Sequence, residues 1–192
     1  MVLSFINVFP QQGNGYPGTT FGNQCSGATF RGPGPAPTLD ALQSSCPAIA
    51  TAIPACQGKY GKTVLLSLGD GHADRTYQLT GAAAGVAFAD MVWQMFGPRV
   101  EANVARGVPR PFDLPGKNGA VELDRFDFDI ETAPTDNSDG YVAMIKRLRA
   151  LFATTKSPRK YLITGSPQCV VPDANMGAII ARARFDALFV QY

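Results

Sequence analysis

The chain has 192 residues, 45% of them hydrophobic and 17% charged, with a formal net charge of +2. That length is enough to bury a core and predicts one domain over residues 1–192, and the composition excludes a disordered chain. The small, scattered positive charge excludes nucleic acid and an anionic membrane surface as partners, and no apolar run is long enough to span a bilayer.

In chain order, Met1 leads straight into an apolar strand over residues 2–9, without the basic region and cleavage pattern of a signal peptide, so none is expected in this chain. Residues 11–37 are crowded with Gly, Pro, Asn and Thr and read as a loop. A helix over residues 39 to 59 is interrupted by Pro47 and Pro54. A strand at 62–68 precedes a helix at 81–96, which carries the sole tryptophan, Trp93, as a core residue. A Pro- and Gly-rich loop at 106–119 leads to a strand at 121–130. The helix at 139–155 opens on Asp139 and turns Tyr141, Met144, Ile145, Leu148 and Leu151 to one side. A strand at 160–164, a helix at 173–184 and a strand at 187–192 complete the pattern. Runs such as Val64-Leu65-Leu66 and Leu188-Phe189-Val190 are apolar throughout, as in parallel strands buried on both faces. The alternation predicts an α/β fold with right-handed crossovers. A chain that opens and closes on strands also predicts further elements on either side.

Cys25, Cys46, Cys56 and Cys169 are widely spaced, and His72 is the one histidine. No metal site is expected from such spacing. Disulfides and buried thiols both remain open, with the long loops favouring bridges.

The segment Asp124-Arg125-Phe126-Asp127-Phe128-Asp129-Ile130-Glu131 carries the chemistry. On a strand Asp127, Asp129 and Glu131 share one face, while Phe126, Phe128 and Ile130 take the other. Three carboxylates on a buried face repel one another and lose solvation, so at least one pKa rises and a proton is shared. A carboxyl protonated near neutral pH is what a general acid requires. Asp129 and Glu131 lie roughly 6.6 Å apart along the strand and point the same way, so they do not straddle a scissile bond. Glu131 can protonate a leaving oxygen, but the nucleophile must come from elsewhere, and the substrate's own acetamido oxygen is a candidate. A calcium loop needs glycine and polar spacers where Phe128 and Ile130 stand. A purely structural acidic stripe is disfavoured by its burial cost.

These residues resemble the D-x-x-D-x-D-x-E signature of glycoside hydrolase family 18, with Asp124, Asp127, Asp129 and Glu131 at its acidic positions. Residues 3–9 (LSFINVF) are similar to the second barrel strand of plant and fungal class III chitinases. Residues 62–69 (KTVLLSLG), 161–173 (YLITGSPQCVVPD) and 190–192 resemble their third, fifth and sixth strands. The resemblance implies a TIM (β/α)8 barrel that is incomplete here: about five βα units, strands two to six, without strands one, seven and eight. It implies retaining hydrolysis of β-1,4-linked N-acetylglucosamine in chitin or chitooligosaccharides through an oxazolinium ion, with no cofactor. Glu131 is then the acid, Asp129 the residue holding the acetamido group, and Asp127 its buried partner. Asn7, Gly69 and Gln191 match positions lining the sugar groove; Gln168 and Tyr192 are further candidates for substrate binding there, with a structural loop amide as the alternative for Gln168. The family's third strand usually ends S-x-G-G, whereas here it reads Ser67-Leu68-Gly69-Asp70-Gly71. His72 beside it reads as a loop residue, and Arg125 stands where glycine is common. Tyr192 takes the position next to the family's acetamido-binding tyrosine. The resemblance also pairs Cys25 with Cys46 and leaves Cys56 and Cys169 free, and it implies a secreted parent protein. An incomplete barrel predicts weak or no activity for this polypeptide alone, from an active parent, and self-association through open sheet edges. The alternatives are a catalytically inactive family 18-type lectin or inhibitor, and an endo-β-N-acetylglucosaminidase acting on glycoproteins.

Overall fold

The computed structural model describes residues 1–71, 77–116 and 119–192, so His72 lies outside the described residues. Six strands form one sheet in the order β2-β1-β3-β4-β5-β6. These are β1 (Val2–Val8), β2 (Gly18–Thr19), β3 (Leu65–Gly69), β4 (Arg125–Asp129), β5 (Leu162–Gly165) and β6 (Ala187–Leu188). Among the described residues, β2 alone of these strands runs antiparallel to its neighbour; the other strand pairs are parallel. Parallel pairing explains the apolar runs. Leu66, Leu68, Phe126, Phe128 and Ile130 point to the face covered by helices and are almost entirely buried. Alternate residues, among them Ser67, Asp127 and Thr164, face the opposite side.

The covering helices are α2 (Ala82–Phe96) and α4 (Asp139–Thr154). They cross closely because a Cβ at Gly85 would lie 2.0 Å from the Gly140 carbonyl oxygen. Phe9 sits at the centre of an aromatic cluster, with ring centroids 4.9 Å from Phe88 and 5.3 Å from Tyr77. Trp93 is half-buried, edge-on to Tyr161 and tilted against Phe152, in keeping with a packing role.

Local hydrogen bonding shifts several predicted boundaries. The strand expected from 121 begins only at Arg125, because Val121 N–H goes to Asp113 and Leu123 N–H to the Phe96 carbonyl. Those bonds tie the segment to a loop and to the end of α2, and not to the sheet. The helix expected at 39–59 shrinks to α1 (Pro47–Pro54) plus a wide turn, Ala55–Lys59. Pro47 opens α1, where a missing N–H costs no hydrogen bond. The helix expected from 173 starts later, as α5 (Gly177–Arg182). Asp173 spends its carboxylate on the N–H groups of Gln168, Asn175 and Met176 instead. The last strand is short, and beyond it only a Gln168–Gln191 bridge continues the pairing. Two elements fall inside or beside predicted loops: β2, and the short α3 (Glu101–Ala105). Cys25 and Cys46 form a disulfide, while Cys56 is a half-buried thiol and Cys169 an exposed one.

Candidate active site

The site is built where β3, β4 and β5 end. In register, Ser67 on β3 and Thr164 on β5 flank Asp127 on β4. Thr164 Oγ1 donates to Asp127 Oδ1 at 2.6 Å, and Ser67 and Ser166 donate to Oδ2 at 2.9 and 3.2 Å. Asp127 is thus held by three hydroxyls in a position 2% exposed, and these bonds replace the water it lost.

One step along β4, Asp129 is 9% exposed, and Gln191 Nε2 donates to its Oδ1 at 2.6 Å. The same amide also donates to the Ser166 carbonyl at 3.0 Å, so Gln191 spans β4 and the end of β5. Burial pushes the Asp129 carboxyl up to about 7, helped by the charges of Glu131, Asp127 and Asp70 and opposed by the Gln191 bond. The causes are those expected of stacked carboxylates. Gly69, paired with Asp129, has φ +120°, and a Cβ there would meet the Asp129 carbonyl oxygen at 1.8 Å. Only glycine lets β3 end this tightly against β4.

Glu131 follows the strand end and is half-buried. Its carboxylate lies over Gly71, where a Cβ would be 2.7 Å from Oε2. Its N–H donates to the Tyr77 hydroxyl at 2.9 Å, and that hydroxyl donates to the Asp70 carbonyl at 2.7 Å.

The structure therefore brings Asp127, Asp129, Gly69 and Gln191 together, with Glu131 at the rim. Asn7 follows Ile6, the β1 partner of Leu68, and so stands at the level of Gly69. Gln168 and Tyr192 are placed elsewhere. Both are exposed and line a separate, largely apolar hollow with Val171, Pro172, Ile180 and Val190, which none of the three carboxylates lines. Asp124, the first acid of the signature, lies at the other end of β4. There it accepts Val64 N–H, Gln57 Nε2 and Arg159 Nη1 at 2.7 to 2.9 Å and fastens the strand starts. The hydroxyls of Ser67, Thr164 and Ser166 and the Tyr77 bridge were not identified from the sequence. The first three become visible by alternation once the parallel register is known; Tyr77 has no local signal.

A mainly parallel α/β sheet with buried carboxylates converging beyond its strand ends is the class that binds ligands at the C-terminal edge of the sheet. Known proteins narrow the class. The chain matches no family model. It is 44% identical over 191 residues to Endochitinase A of Aspergillus niger, across 99% of this chain and 14% of that protein. It is 43% identical over 195 residues to a probable endochitinase of Arthroderma benhamiae, across 100% of this chain and 24% of that protein. Among solved structures, ICChI chitinase from Ipomoea carnea superposes with a TM-score of 0.69 at 26% identity, across 100% of this chain and 57% of that one. The xylanase and alpha-amylase inhibitor protein XAIP-II from Scadoxus multiflorus also gives 0.69, at 25% identity, across 100% of this chain and 55% of that one. The resemblance to class III-type chitinases of family 18 thus holds along the entire chain, which spans a small part of the fungal relatives' length.

Proposed function

We propose that this chain carries the acid-catalyst face of a chitinase that cleaves β-1,4-N-acetylglucosamine linkages with retention, assisted by the substrate. The observation that carries the reading is the co-facial carboxylate stack, in which Asp129 is pushed up to about 7 beside Asp127 and Glu131. Glu131 gives its proton to the glycosidic oxygen as the anomeric C–O bond breaks. The acetamido carbonyl oxygen attacks the anomeric carbon from the opposite face, forming an oxazolinium ion. Asp129 holds the acetamido N–H and offsets the developing positive charge. Glu131, now a carboxylate, takes a proton from water as that water opens the ring and restores the original configuration. Asp127, fixed by its three hydroxyl donors, supplies the charge that keeps a proton on the pair above it. Asn7, Gly69 and Gln191 border the sugar.

The parent is inferred to be a secreted barrel enzyme, of which this chain supplies strands two to six. The Cys25–Cys46 bridge supports an oxidising compartment. Apolar residues exposed along the β6 edge, Leu188, Phe189 and Val190, support the incomplete-barrel reading. Turnover by this polypeptide alone is therefore expected to be weak or absent. The inhibitor among the structural neighbours favours a second reading, a binding protein without catalysis. Hydrolysis of a chitin oligomer, measured beside calorimetric titration, separates the two. The hydrolase reading predicts turnover that falls by about 10²–10⁴-fold in Glu131→Gln. Binding with equal, Glu131-independent product formation contradicts it.

A further inference from the structure

In a regular parallel ladder the rung after Asp70 N–H to Asp129 C=O pairs the N–H of Glu131 with the C=O of Asp70. The first of these bonds is present at 3.2 Å. The second is replaced: the Tyr77 hydroxyl stands between the two strands, accepting from Glu131 N–H at 2.9 Å and donating to Asp70 C=O at 2.7 Å. Tyr77 is 1% exposed, and its ring is locked against Phe9, so the hydroxyl has a fixed place. Burial raises its pKa, opposed by hydrogen bonds with the Thr132 side chain and the Glu131 N–H and helped by the Glu131 and Asp129 charges, so the hydroxyl keeps its proton.

Resting on the hydrolase reading for its functional consequence, we propose that Tyr77 is a positioning residue for Glu131, its hydroxyl acting as a spacer that completes the ladder while holding the two strand exits apart. The spread matters because the Glu131 carboxylate lies over Gly71, where a Cβ would be 2.7 Å from its Oε2, so the separation of the two exits sets where that carboxylate sits. Direct closure of the rung would bring the Asp70 and Glu131 backbones together and so shift the Glu131 carboxyl relative to Asp129.

The test is Tyr77→Phe in the full chain, which keeps the ring and removes only the oxygen. Isotope-labelled protein reports the Glu131 amide and side-chain carboxyl by NMR, whether or not the chain turns over substrate. The expected result is that both resonances move while the Asp127 carboxyl does not. Where wild-type turnover is Glu131-dependent, kcat falls by about ten-fold with KM little changed. Unchanged Glu131 resonances in Tyr77→Phe overturn the spacer. Moved resonances with unchanged kcat overturn its positioning role and leave the hydrolase reading standing. Absence of any turnover or sugar binding in the wild type removes the hydrolase reading, while the amide and carboxyl shifts still decide the spacer. If the variant does not fold, the wild-type spectrum decides: a slowly exchanging Tyr77 hydroxyl proton with a cross-peak to the Glu131 amide supports the spacer, and its absence contradicts it.

Discussion

Asp129 accepts one amide hydrogen bond yet faces three other carboxylates, and its burial outweighs the help that Gln191 gives. In the unfolded chain this carboxyl titrates in the ordinary aspartate range, whereas in the folded chain it keeps its proton up to about 7. The folded state therefore binds more protons between those two values. Its stability is fully present below the unfolded pKa and is lost as pH rises through the folded one. Asp129→Asn removes that loss while keeping an oxygen for Gln191. Thermal melts are expected to show the variant gaining on wild type at pH 8 and losing that advantage below about pH 4. An identical difference at both pH values would show that Asp129 is not the group that titrates. At this scale the sequence is most informative for β4, because two-residue alternation alone puts Asp127 and Asp129 on one face. It is silent where partners come from other strands. The hydroxyl cradle around Asp127 depends on register, and Tyr77 reaches Glu131 through the tertiary fold.

Among the elements, α2 and α4 are placed by one acid. Asp136 Oδ2 accepts the N–H of Gly81 at 2.7 Å and of Gly140 at 2.8 Å, joining the entries of both helices above the site. Asp136→Ala is expected to cost about 1–2 kcal/mol in urea unfolding, as the loss of a helix cap does. The long loop after β1 is held by the Cys25–Cys46 bridge, whose cysteines are 21 residues apart. Replacing both by serine is expected to lower stability by about 3 kcal/mol under the same measurement. A loss below the noise would mean that the Asn14–Asp40 hydrogen bond and its neighbours order the loop unaided. The helical periodicity of residues 141–151 and the apolar run of β3 identify their elements in the sequence, and the structure moves their ends by only a few residues. The region before α1 was harder to read. A two-residue strand and a proline-opened helix leave little periodic signal, and β2 exists only through its pairing with β1.

For the molecule as a whole, the sheet presents exposed apolar side chains at its β6 edge, and an open strand edge invites another strand. Sedimentation is expected to show mass rising with concentration, and Phe189→Lys with Val190→Lys to reduce it; a concentration-independent monomer would contradict the open-edge account. Chemistry and packing are separated along β4. Asp129 and Glu131 lie at the exit, where the sugar is proposed to sit, and Asp124 lies at the entrance, engaged by Val64, Gln57 and Arg159. That separation supplies an internal control for sugar binding that does not depend on turnover. Adding a chitin oligomer to the carboxyl-labelled chain should shift the Asp129 and Glu131 resonances and leave Asp124 where it was. Resonances that all stay still, or an Asp124 shift as large as that of Glu131, would contradict a sugar site at the exit of this strand.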